Sequence, residues 1–140
     1  MEILMENIAE QELILLDNVQ IRNEHKIEVP TGAKKIISVN CLMMDSKSEV
    51  NQNEIIVSGN FVTRLVYVNE FDKYDSEDIT KPFEKKVIVK SENEVNSLFA
   101  RISLMNSEWK ILENNICIDN TITVNVYGLK SREMQVVGNL

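Results

Sequence analysis

Along this chain apolar side chains recur at every second position, and the clearest case is the run from Glu54 to Asn69. Ile55, Val57, Gly59, Phe61, Leu65 and Tyr67 fall on one side of it. Ser58, Asn60 and Arg64 alternate with Val62, Val66 and Val68 on the other. That is the pattern of a central strand with one core face and one face that is partly wet or meets a partner. The glycine in the middle fits a bulge, a bend or a close backbone contact.

Further strand-like runs are Leu13 to Ile21, His25 to Val29, Lys35 to Met44, Phe83 to Val89, Ile102 to Leu112 and Ile116 to Tyr127. Short breaks separate them: Pro30-Thr31-Gly32, Asn51-Gln52-Asn53 and Glu113-Asn114-Asn115. The spacing predicts an all-β fold, an antiparallel sandwich or partly closed barrel of about seven to nine strands. One short helix is expected after Ser91, where Glu94 completes a capping-box pattern and Val95, Leu98 and Phe99 follow at helical spacing. Residues 1–12 read as a polar, acidic arm, and residues 13–140 as a single β domain. Ile3, Leu4 and Ile8 on the arm, with Leu13 just beyond it, are candidate contacts to an exposed strand edge of a neighbouring copy.

Composition narrows the function. The chain has 140 residues, of which 44% are hydrophobic and 26% charged, which is enough for a core without a metal or disulfide. A net charge of -7 with scattered lysines and arginines argues against a nucleic-acid partner. The acidic start Met1-Glu2-Ile3-Leu4-Met5-Glu6 lacks the basic and apolar segments of a secretory signal, so synthesis in the cytoplasm is expected. No apolar run approaches the ~20 residues of a bilayer span, so no membrane insertion is expected.

Acid-base or nucleophilic catalysis draws most often on histidine, and there is a single one, His25, beside Glu24 and Lys26, where solvent exposure is expected. With four glycines and no phosphate-loop or nucleophile-elbow motif, the expectation is a non-enzymatic protein without a cofactor. Glu70, Asp72, Asp75, Glu77 and Asp78 crowd the segment Asn69 to Thr80, which reads as a solvated acidic loop rather than a calcium or other metal site. Cys41 shares a face with Ile37, Val39 and Met43 and reads as a core thiol. Cys117 falls on the polar face with Asp119 and Thr121, where an intermolecular disulfide is conceivable. Phe71, Tyr74 and Trp109 are alternative ligand contacts, as a stacking platform for a glycan.

Three motifs occur in order: Val29-Pro30-Thr31-Gly32-Ala33-Lys34-Lys35-Ile36-Ile37-Ser38-Val39, the glycine-centred run ending Leu65-Val66-Tyr67-Val68, and Pro82-Phe83-Glu84-Lys85-Lys86-Val87. In order and spacing they resemble the SPOCS domain family, found in spore-coat and exosporium assembly proteins of endospore-forming bacteria, clostridia especially. The resemblance covers Glu24 to Gly128. It implies a non-enzymatic structural protein of the spore surface (coat, exosporium or appendage), self-assembling by β-strand addition and packing into a homo-oligomer or polymer, with other coat proteins as possible partners. Members often carry repeated domains and a peptidoglycan-binding LysM module, and this sequence has neither. The resemblance therefore implies a single building block. The competing expectation is a monomeric binding module for a coat protein or surface glycan.

Overall fold

A computed structural model describes residues 5–90 and 97–137, with side chains placed for 12–90 and 97–130. It contains six strands, β1 (Met5–Glu28), β2 (Ala33–Asn51), β3 (Glu54–Asn69), β4 (Tyr74–Ile88), β5 (Ser97–Leu112) and β6 (Asn115–Val137). All pairings are antiparallel. They form two three-stranded sheets, β1-β6-β5 and β2-β3-β4. The strands are fewer and longer than the sequence pattern predicts. Leu13 to Ile21 and His25 to Val29 merge into β1, because Arg22-Asn23-Glu24 contains neither glycine nor proline to turn the chain.

The segment Asn69 to Thr80 is also not a long loop. Its acidic residues from Asp75 onward belong to β4, and the turn is confined to Glu70–Lys73. Among the described residues there is no helix. Ser91, Glu94 and Val95 lie outside the described residues, while Leu98 and Phe99 belong to β5. Leu98, Ala100, Ile102 and Leu104 alternate inward onto the core, so for Leu98 and Phe99 tertiary burial at period two outweighs the helical spacing.

The two sheets pack through their apolar faces. Ile55, Val57, Phe61, Phe83 and Val87 of one sheet meet Ile122, Val124 and Val126 of the other. A second cluster nearer the β3–β4 turn joins Val39 and Leu65 to Ile27, Ile116 and Ile118. Both central strands, β3 and β6, bury every second side chain in these clusters. Ile37 is a correction to the core face expected of β2. The register shifts between Ile36 and Ser38, so Ile36 turns inward and Ile37 is left exposed.

Tight turns close the hairpins where the sequence breaks. Pro30 accepts from the Ala33 amide at 3.1 Å, and Gly32 supplies the φ of 81° that this turn needs. Gly59 has a different reason to be glycine. It stands opposite Phe83, and a Cβ there would lie 2.9 Å from the Phe83 ring and 3.2 Å from the Met44 carbonyl. The missing side chain lets Phe83 lie over the strand and stack on Phe61 with ring centroids 4.6 Å apart. It also admits the bulge of β2, whose register shifts between Met44 and Lys47.

Gly59→Ala is therefore expected to lower the free energy of unfolding by roughly 1–3 kcal/mol through overpacking. Urea denaturation measures this, and an unchanged midpoint would contradict the packing described.

Candidate functional site

The interior is not wholly apolar. Asn120 sits in phase with Ile116, Ile118, Ile122 and Val124 on the inner face of β6, and Thr63 sits in phase with Phe61 and Leu65 on β3. Both are fully buried. The Asn120 carboxamide donates to Cys41 Sγ at 3.5 Å, and Cys41 is the ladder partner of Thr63. In the other sheet Asn120 is flanked by Asn23 on β1 and Ser107 on β5. A polar seam thus crosses between the two apolar clusters. Thr63 Oγ1 and Asn120 Oδ1 have no hydrogen-bond partner there, and a buried orphan of this kind carries a desolvation penalty.

His25 adjoins this seam, which overturns its expected exposure. Once Arg22-Asn23-Glu24 is strand, His25 is in phase with Ile21 and Ile27 and points inward. Its ring stacks on Phe61 at 5.9 Å, and both ring nitrogens are buried without a partner. Burial, and secondarily the charge of Lys81, push its pKa below the ordinary histidine value.

The outer faces carry the remaining candidates. On β2-β3-β4 the Arg64 guanidinium donates twice to the Asp78 carboxylate, at 2.8 and 2.9 Å, which holds Asp78 below the usual carboxylate range and raises Arg64. Beside this pair, Val62 and Val66 are only half-buried and Leu42 and Met44 are exposed. Among the described residues no element covers that face.

On β1-β6-β5 the outer face is ordered in cross-strand rows. Leu15, Tyr127 and Phe99 share one row, with Leu13 and Leu129 paired in an adjacent one, and Phe99 stacks on Tyr127 at 5.4 Å. Further along come the carboxylates Glu24, Asp119 and Glu108, and then Lys26, Cys117 and Lys110. Arg22 donates to Asp119 and, at 3.2 Å, to Glu24. These charged rows line a concavity of about 570 Å³.

The predicted contact residues separate as follows. Ile3 and Leu4 lie outside the described residues. Ile8 is opposite Met134, because residues 5–12 continue β1 and pair with β6 of the same chain. Leu13 is exposed in the apolar patch with Leu15, Phe99, Tyr127 and Leu129. Cys41 and Cys117 are both free, Cys41 against the core and Cys117 on the opposite side of its sheet, half-exposed between two lysines.

Phe71 lies in the β3–β4 turn and Tyr74 directly follows it, 73% and 74% exposed. That turn is fixed by Asn69, whose Oδ1 accepts from the amides of Phe71 at 2.9 Å and Lys73 at 3.1 Å. Trp109 is on β5 in the other sheet, in the row of Ile118 and His25, and stacks on neither of them. The three aromatics therefore share no element. Among the described residues no cluster of three metal-ligating side chains forms, and no helix is long and apolar enough to cross a membrane.

Compared with known proteins, the chain matches no family model, no curated protein and no solved structure.

The buried histidine makes stability depend on pH. Its folded pKa lies below the unfolded value of about 6.5, so the unfolded chain binds the proton more readily. Stability is therefore full above that value and declines as pH falls through it. His25→Phe keeps a ring on Phe61 and removes both unpartnered nitrogens. Between about pH 7.5 and about pH 5.5 the urea midpoint of the wild type is expected to fall more than that of the variant. Equal falls would contradict the buried, neutral ring.

Proposed function

We propose that this chain is a non-enzymatic structural protein of the spore surface, a coat, exosporium or appendage component that self-assembles through β-strand addition and side-chain packing. The identity of the setting rests on the order and spacing of the three SPOCS-like motifs. The observation that carries the assembly reading is an apolar surface that no element covers among the described residues. Leu13, Leu15, Phe99, Tyr127 and Leu129 lie together on the outer face of β1-β6-β5. Contiguous apolar side chains in such a place are a common mark of a contact with another molecule.

Among the described residues, two three-stranded sheets also leave β1, β2, β4 and β5 with an edge that carries no further strand. Cys117, free and half-exposed, is available to reinforce such an assembly covalently where the surroundings oxidise thiols. A second reading, a binding module for a coat protein or surface glycan, is favoured by the exposure of Phe71 and Tyr74 at the hairpin tip.

Full-length protein is expected to form concentration-dependent oligomers or polymer in sedimentation velocity and electron microscopy. Leu13→Glu/Leu15→Glu should weaken that association by at least roughly tenfold, since it places four carboxylates in the patch of each pair of copies. Any covalent portion should vanish with reductant and in Cys117→Ser. A strictly monomeric protein at high concentration, with ligand binding abolished by Tyr74→Ala, would replace assembly by the binding-module reading.

A further inference from the structure

We infer that the open edge of β1 pairs with β1 of a second copy, antiparallel about a two-fold axis at Asn23, joining two β1-β6-β5 sheets into one continuous sheet. This inference rests on the self-assembly reading and names the edge and the register that it uses.

The other three edges each carry an obstacle. On β4, Pro82 lacks an amide hydrogen. The same strand turns charge toward the core side, because Asp75, Glu77, Lys81 and Lys85 are the ladder partners of the inward residues Tyr67, Leu65, Phe61 and Val57. Inward-pointing charges on an edge strand oppose the addition of another strand. On β2 the register shifts at three places, and each shift kinks the edge. The β5 edge shifts between Leu104 and Asn106 and lies against β2.

β1 differs. Its one shift lies between Leu15 and Asp17, and from there to Glu28 the ladder with β6 is regular. From Asn18 to Glu28 the inward residues are Val19, Ile21, Asn23, His25 and Ile27, with no carboxylate, lysine or arginine among them. Asp17, opposite Val126 beside the shift, is the one carboxylate on that side between the shift and Glu28.

The charges select the register. On its outward side β1 presents Asn18, Gln20, Arg22, Glu24, Lys26 and Glu28, with sign alternating along the last four. A two-fold at Asn23 sets Arg22 against Glu24 of the second copy, Gln20 against Lys26, and Asn18 against Glu28. On the inward side it sets Val19 against Ile27 and Ile21 against His25. No like charges meet. A two-fold at Glu24 would oppose Glu24 to itself and Arg22 to Lys26, and one at Arg22 would oppose Arg22 to itself. A two-fold at His25 would satisfy the charges, but it leaves only Arg22 to Glu28 paired within the strand. Like charges directly opposed across a ladder are destabilising, and opposite ones favourable.

The Asn23 axis also falls on the polar seam. Asn23 is the ladder partner of Asn120, whose Oδ1 is buried without a partner. At the axis each Asn23 carboxamide faces its counterpart and can donate to it and accept from it in turn, so the seam continues across the junction. A self-matched amide pair of this kind fixes register, since a slip leaves both groups unmatched.

Gln20 tests the register because its side chain is exposed and makes no ionic contact in the monomer. Gln20→Glu should tighten the full-length dimer roughly three- to tenfold, and Gln20→Lys should weaken it by a similar factor, since each change is made twice per dimer opposite Lys26. Sedimentation velocity at low salt reads both, with circular dichroism confirming that each variant is folded. The tightening should shrink as salt is added. The opposite order of the two variants, or association equal to wild type in both, overturns the β1 pairing while leaving self-assembly in place. A wild type that stays monomeric overturns both.

Discussion

A three-stranded sheet has one central strand, and stacking two such sheets makes those central strands the place where burial is deepest. In this molecule they are β3 and β6, and the side chains fully removed from solvent come from them: Ile55, Val57, Phe61, Thr63 and Leu65 on one, Ile116, Ile118, Asn120, Ile122, Val124 and Val126 on the other. Everything else is placed by its relation to that pair. β1, β2, β4 and β5 each add inward apolar side chains on one flank of a central strand, and they vary in how the outer edge is defended, that of β5 lying against β2.

The same constraint explains why polar groups are found inside. A residue in phase with the core of a central strand has no route to solvent, so Asn120 and Thr63 are buried by register alone. Their neighbours Cys41, Asn23 and Ser107 are of the types that tolerate such company. His25 is captured in the same way by the phase of Ile21 and Ile27. A continuous apolar core would be more stable, whereas a polar seam that matches only in one alignment discriminates between registers. Long strands with alternating residues otherwise have several nearly equivalent ways to slide.

Much of this was legible in the sequence. The phase of β3 is stated outright by Ile55, Val57, Phe61 and Leu65, and Gly59 announces a close approach whose cause, the Phe83 ring and the Met44 carbonyl, emerges only in three dimensions. The two cysteines fall on opposite sides of their sheets, as alternation implies. Bulges were not legible. A shift between Ile36 and Ser38 reverses the faces of β2, and no residue type there signals it, so Ile37 reads as core and is exposed. The breadth of β1 and β4 was hidden because charge on an edge strand looks like the charge of a loop. Asn120 could have been found from its phase with Ile118 and Ile122. The orientation of His25 required knowing that β1 is unbroken.

With the inner faces packed together and the edges unequal, the molecule is organised as a unit with one well-formed edge left over and an apolar patch beside it. Amide hydrogen exchange, resolved by residue at low and high protein concentration, tests this most directly. Amides of β3 and β6 should exchange slowest at both concentrations. Alternate amides of β1 between Asn18 and Glu28 should gain protection only when the protein is concentrated, with β4 unchanged. Protection that rises on β4 and leaves β1 as it was, or that is independent of concentration everywhere, would contradict it.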